Sequence, residues 1–140
     1  MTGPKVFVDT NVWVYRADES PEEQAKHDRA EAVLTENPGR LVLSTQVILE
    51  FYVTVTRRLR RPVSHDRALT AVRGMALLTV VMPDVALVLS AISITQTARI
   101  SLWDALIVEA ARAAGCERIL TEDLSHGQVI RGVEVVDPFR

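Results

Sequence analysis

The stretch Lys5-Val6-Phe7-Val8 is a short apolar run with no polar alternation, and it stops abruptly at Asp9. A strand with one face in water alternates apolar and polar side chains. An unbroken run is instead the pattern of a strand covered on both faces, as in a parallel sheet flanked by helices. Leu41-Val42-Leu43 repeats the pattern, Thr79 to Met82 gives a third strand stopped by Pro83, and Arg118 to Thr121 and Val133 to Val136 complete an expected set of five.

The segments between these runs carry helix signals. Ser20-Pro21-Glu22-Glu23 supplies an N-cap, a first-turn proline and a capping-box glutamate for a polar helix reaching about Asn37, before Pro38-Gly39. Thr45 to Leu59 places apolar residues at 47, 51, 55 and 59, an i, i+4 stripe that favours helix over the β-branched residues Val53 to Thr56. Pro62 ends it, Ser64 caps a further helix to about Leu78, and Asp84 to about Ala98 reads as helix. Ser101 opens another that ends at Gly115, an expected left-handed cap. The order β-α-β-α-α-β-α-α-β-β predicts an α/β sandwich on a mostly parallel central sheet of about five short strands, with residues 1–140 as one domain.

Composition narrows the partners. An apolar share of 48% argues for a packed core, while 16 basic against 18 acidic residues leave no global basic signature, so any phosphate-binding surface must be local. Cys116 is the single cysteine and cannot form an intramolecular disulfide; beside Gly115 it reads as a small buried residue in a reducing cytoplasm. Met1-Thr2-Gly3-Pro4-Lys5 lacks the apolar core of a secretory signal, and the most apolar later stretch, Val85 to Ile94, is about half the ~20 residues that span a bilayer. A soluble, cytoplasmic protein with no membrane partner is expected.

Four acids interrupt apolar surroundings: Asp9 after Val8, Glu50 between Leu49 and Phe51, Asp104 in Leu102-Trp103-Asp104-Ala105-Leu106, and Asp123 after Ile119-Leu120-Thr121-Glu122. In open α/β sheets functional groups gather outside the carboxyl ends of strands, where Asp9 and Asp123 belong; Glu50 and Asp104, one to two turns into their helices, can lean over the same rim. If the four meet, each like-charged pair at about 4 Å is worth roughly 4 kcal/mol at an effective dielectric near 20, a conflict that a hard cation resolves. No histidine or cysteine stands at ligand spacing, which speaks against zinc. Carboxylate-held Mg2+ or Mn2+ suits phosphodiester hydrolysis, and there is no glycine-rich phosphate loop, nucleophile elbow or cysteine-histidine pair to suggest another chemistry. Each acid also has a plain structural reading. Asp9 can cap a helix beginning near Thr10, Asp104 can close a capping box with Ser101, Glu50 can sit on a solvated helix face, and Asp123 can belong to a polar turn.

Taken in order, Val8-Asp9-Thr10-Asn11, the Ser44 to Phe51 segment with Glu50, Leu102-Trp103-Asp104-Ala105-Leu106-Ile107 and Leu120-Thr121-Glu122-Asp123 resemble the PIN-domain ribonucleases, and among them the VapC-type toxins, over nearly the whole chain. The resemblance implies a PIN-like α/β/α fold and a Mg2+-dependent endoribonuclease, with Asp9, Glu50, Asp104 and Asp123 as catalytic metal ligands and Thr10, Asn11 and Glu122 in support. It further implies structured RNA as substrate, a homodimer, and a cognate antitoxin inserting a peptide near the acids.

Arg57, Arg58, Arg60 and Arg61 follow the Glu50 helix and are the candidate RNA-binding cluster, with Arg16 and Lys26 as weaker ones; cations there also favour the helix dipole. Trp13, Tyr15, Phe51, Tyr52 and Trp103 could stack on bases, although aromatics beside apolar runs are usually core, which is the expectation for Phe51. A non-catalytic PIN-like module that binds RNA or protein is the alternative. A receiver-like domain is disfavoured by Glu50 and by the lack of a suitable late lysine, and a haloacid-type phosphatase by the lack of an aspartate two residues after Asp9.

Overall fold

The computed structural model describes residues 3–140; Met1 and Thr2, part of the stretch expected to lack a secretory signal, lie outside the described residues. Six strands, β1 (Lys5–Val8), β2 (Leu41–Ser44), β3 (Thr79–Val81), β4 (Cys116–Leu120), β5 (Val129–Ile130) and β6 (Val133–Val136), form one sheet in the order β3-β2-β1-β4-β6-β5. All neighbours are parallel except β5 and β6. Six helices accompany them: α1 (Thr10–Ala17), α2 (Gln24–Thr35), α3 (Thr45–Arg57), α4 (His65–Met75), α5 (Val85–Ala98) and α6 (Leu102–Ala113). The fold is the expected α/β sandwich on a mostly parallel sheet. Consecutive residues Val6, Phe7 and Val8 are all buried, as are Val42, Leu43 and Ser44, so helices cover both faces of the central strands. Each of the apolar side chains among them contributes roughly 1.5–3 kcal/mol of hydrophobic stabilisation.

The helix starts follow the capping chemistry of the sequence. The side chains of Ser44, Ser64, Asp84 and Ser101 accept bonds from the backbone N–H groups of Val47, Arg67, Leu87 and Asp104, and Gly115, just past α6, has φ +75°. Ser20 departs from expectation. Its hydroxyl makes no cap bond; Pro21–Glu23 form a 3-10 turn, and α2 begins only at Gln24 and stops at Thr35. The proline-set φ tightens this turn while Asp18 instead accepts from the Ser20 N–H at 2.9 Å.

Two elements lie outside the expected element order, although a helix beginning near Thr10 was the plain structural reading of Asp9 as an N-cap, which the structure bears out. α1 starts immediately after β1, and β5 pairs antiparallel with β6 through Arg131-Gly132, whose φ values of +53° and +82° are those of a two-residue hairpin turn with both central residues left-handed. The sheet therefore has six strands, one more than the five expected. Glu109, only 3% exposed on α6, lies 3.7 Å from the strained Arg131 and 3.4 Å from Arg112, so a buried acid ties the hairpin to the helix. Among the described residues no single helix is long and apolar enough to cross a membrane; α5 and α6 are bent by 116° at their junction.

Candidate active site

Chain order reverses direction across the sheet between β1 and β4: β2 and β3 lie to one side of β1, β4 and β6 to the other. Such a switch point opens a crevice at the carboxyl ends of the strands. The register pairs Val8 with Leu120, so Asp9 and Thr121 emerge side by side.

Thr121, fully buried, is the hub. Its hydroxyl donates to Asp9 Oδ2 at 2.8 Å and accepts from Asn11 Nδ2 at 3.1 Å and the Asp123 N–H at 3.0 Å. Asp9 also caps α1, accepting at Oδ1 from the Thr10 N–H at 2.7 Å. The Thr10 hydroxyl donates to Glu50 Oε2 at 2.9 Å, and Gln46 Nε2 donates to the other oxygen at 3.0 Å. Asn11 Nδ2 further donates to Asp123 Oδ2 at 3.2 Å, while its carbonyl accepts from the Glu122 N–H at 3.3 Å. Asp104 sits in the first turn of α6, its N–H held by the Ser101 hydroxyl.

The structure thus links Asp9, Glu50 and Asp123 through Thr10, Asn11 and Thr121, while Asp104 has no hydrogen bond to this network and is near enough only to feel the charges of Asp123 and Glu50. Burial pushes the Asp9 carboxyl up from 3.8 to about 6, against bonds from Thr10 and Thr121, and the charges of Asp123 and Glu50 push it further. Asp104 is raised as well, first by burial and then by Asp123 and Glu50, with Ser101 opposing. Among the described residues no three His, Cys, Asp or Glu side chains come close enough together to hold an ion; neutral donors from Thr10, Asn11, Gln46 and Thr121 engage the carboxylates instead. The donor set nevertheless fits a hard divalent cation: all oxygen, anionic, and with a buried member whose neighbours already disfavour its charge.

Glu122 points elsewhere. It accepts from Tyr15 at 2.6 Å and pairs with Lys26 at 2.8 Å, and the Lys26 ammonium also lies 4.7 Å over the Tyr15 ring. The bond to Glu122 and then the one to Tyr15 raise the Lys26 pKa, so this amine is committed to a structural clamp rather than free for substrate. Thr10, Asn11, Glu50, Trp103, Glu122 and Asp123 border a cavity of about 720 Å3 that extends between α1 and α3 over Val14, Val53 and Leu59 to Arg58. Of the arginine cluster, Arg58 alone lines it; Arg60 pairs with Glu22 at 3.2 Å, and Arg57 and Arg61 are exposed. Arg16 stacks over Trp13 at 5.0 Å.

Gln46 was missed from the sequence, Thr121 was quoted only as part of the last acidic element, and Tyr15 was named only as a possible base stacker, whereas it holds Glu122. Thr121 carried a signal, a hydroxyl between the β4 run and two acids; Gln46 and Tyr15 carried none, because their partners come from distant elements. Trp13 and Phe51 are core, and Trp103 is not.

Comparison with known proteins accords with this architecture. The chain resembles VapC20 of Mycobacterium tuberculosis, described as a sarcin-ricin loop cleaving toxin, at 21% identity and a TM-score of 0.66 over 85% of this chain and 90% of that one. It resembles a toxin-antitoxin complex from Klebsiella pneumoniae at 16% identity and a TM-score of 0.73 over 96% and 98%. A DNA-bound VapBC from Salmonella typhimurium matches at 21% identity and a TM-score of 0.67 over 97% and 99%. No curated protein matches the chain. The family model described as PIN domain matches residues 6–130, and with the sheet order and helix layers this bears out the resemblance seen in the sequence: the chain belongs to the PIN-domain family.

Proposed function

We propose that this chain is a Mg2+- or Mn2+-dependent endoribonuclease acting as the toxin of a toxin-antitoxin pair in the cytoplasm. The observation that carries the reading is Asp9: a buried carboxylate at the sheet's switch point, pushed to about 6 by burial and by the charges of Asp123 and Glu50. Bonds from Thr10 and Thr121 compensate this carboxylate only in part, since burial still outweighs them, and site chemistry is where perturbed acids concentrate. Asp9, Glu50, Asp104 and Asp123 would hold the cation, which when bound lowers the pKa of an attacking water and offsets charge on the entering and leaving oxygens. The chain's own part is positional. Thr121 and Thr10 fix Asp9, Asn11 and Thr121 fix Asp123, Gln46 and Thr10 fix Glu50, and Ser101 fixes the turn bearing Asp104.

Family membership supports nuclease activity, and the described action of VapC20 supports structured RNA as substrate. The toxin-antitoxin complexes among the similar structures support a cognate antitoxin, for which the cavity over Val14, Leu49, Val53 and Leu59 offers an apolar floor. An outward apolar face on α5, formed by Val85, Leu89 and Ile92, supports a homodimer. Arg58, with Arg57, Arg60 and Arg61 nearby, is the candidate phosphate contact. The spacing of the acids is what a non-catalytic PIN-like module binding RNA or protein would also show.

RNA cleavage measured with Mg2+, with Mn2+, with EDTA, and for Asp9→Asn and Asp104→Asn separates the readings. Cleavage lost on chelation and in both variants is expected; equal cleavage by the variants removes the enzyme, leaving the module.

A further inference from the structure

One aromatic side chain stands outside the packing that explains the others. Phe7, Trp13 and Phe51 are sealed in the core, Tyr15 is committed to Glu122 and to the edge of Phe139, and Tyr52 to His65. Trp103 is 63% exposed, makes no ring–ring or cation–ring contact among the described residues, and borders the same cavity as Glu50 and Asp123. An indole left in water forgoes a large hydrophobic gain, and beside an acidic rim that exposure calls for a ligand.

Its anchorage is better defined than its surroundings. Trp103 immediately precedes Asp104 in the first turn of α6, where Ser101 holds the Asp104 N–H at 3.1 Å. Gln46 Nε2 donates at 3.0 Å to Glu50 Oε1 and at 3.5 Å to the Trp103 carbonyl, so one amide links the root of the indole to a site carboxylate on α3. The backbone from which the ring projects is thereby placed beside two of the four acids. A phosphodiester presented to those acids brings its flanking nucleotide within the same cavity, where Leu49 and Val53 add apolar edge and Arg58 a cation farther along.

We infer that Trp103 is a stacking platform for one unpaired nucleobase beside the scissile phosphodiester. The inference rests on the nuclease reading above and deepens it. Every base has a π-face, and bases inside a helix are already stacked, so an exposed aromatic at a cleavage site selects nucleotides free of a partner. An apolar side chain of a protein partner could use the same ring. With the divalent cation of the nuclease reading between them, the acids at this end of the cavity would favour a ligand that carries both an anionic group and a flat ring for the indole, which describes a nucleotide and not a leucine.

The chain's two tryptophans make the test direct. Trp13 is 2% exposed, so the red edge of the emission belongs to Trp103. Asp9→Asn protein in Mg2+ is titrated with single-stranded oligoadenylate carrying 2-aminopurine, and with the same strand annealed to oligouridylate. Saturable quenching by the single strand and little by the duplex is expected. Trp103→Leu should weaken single-strand binding, read from the 2-aminopurine signal, by roughly 5- to 150-fold, and Trp103→Phe by less than about fivefold. In the otherwise wild-type chain the Trp103→Leu loss should fall on KM more than on kcat. Melting temperatures check that each variant folds, and the exposure of the site predicts no change. Unaltered RNA affinity in Trp103→Leu overturns the platform, as does equal quenching by duplex, or quenching by a leucine-rich amphipathic peptide but not by RNA, which would make this a protein-docking face. Binding that depends on residue 103 in a chain that cleaves no RNA would instead overturn the nuclease reading and leave the base contact standing.

Discussion

Asp9 is held at the end of β1 with a carboxyl that titrates near 6 when folded and near 3.8 when unfolded. The folded state therefore binds this proton more tightly. The stabilising contribution is complete below the unfolded value and is lost as pH rises through about 6, an effect on the order of 3 kcal/mol. Asparagine caps helices as well as aspartate and carries no charge to desolvate, although its amide would face a Thr121 hydroxyl that already accepts two donors. Urea melts in EDTA at about pH 8 should find Asp9→Asn as stable as wild type or more so, by about 1 kcal/mol, while cleavage falls by about 100-fold or more. Added Mg2+, which favours ionised Asp9, should raise the melting temperature more at about pH 8 than at about pH 5. An equal rise at both would take Asp9 out of the ion's coordination. Thr121 tests the scaffold around it: Thr121→Val keeps shape but strands its three partners and should cost about 10- to 100-fold in activity, whereas Thr121→Ser should retain most of it. Similar kinetics for the two would show the hydroxyl to be idle.

Helix starts offer a control that single residues do not. Ser101 and Asp84 cap successive helices through the same bond, to the N–H three residues on. Replacing either with alanine should lower stability by about 1 kcal/mol. Only Ser101→Ala also loosens the turn carrying Trp103 and Asp104, so activity at matched stability should drop for it and not for Asp84→Ala. At this scale the sequence was most readable: caps, prolines and unbroken apolar runs are local signals, and they placed α3 to α6 and β1 to β4 to within a few residues. α1 was legible only through Asp9 as a possible N-cap, because Val12-Trp13-Val14-Tyr15 is β-branched and aromatic, with no amphipathic stripe, and its eight residues lean on packing for their helicity. β5 escaped because two residues carry no periodicity, and its turn uses an arginine where glycine or asparagine would have announced it.

For the molecule as a whole, the outward apolar face of α5 is where the proposed homodimer can be tested. Leu89, 62% exposed at its centre, is flanked by Val85 and Ile92 one turn away on either side. Light scattering should find the protein dimeric and Leu89→Glu monomeric with unchanged far-ultraviolet circular dichroism; a monomeric wild type would assign that face another role.

The alternation of buried strands and capped helices, and the identities of the four acids, were determined by the amino-acid sequence alone, because each is expressed within a window of a few residues. Which acids neighbour which was decided by the parallel pairing of β1 with β4, since residues 112 apart in the chain, Asp9 and Thr121, meet only through that register. The tertiary structure also decided that Glu122 turns to Lys26 while Asp123 turns to Asn11, and that Trp13 is core while Trp103 faces solvent. Adjacent residues in a turn, or like residues beside apolar runs, share one local pattern, and only the packing of distant elements assigns them opposite surroundings.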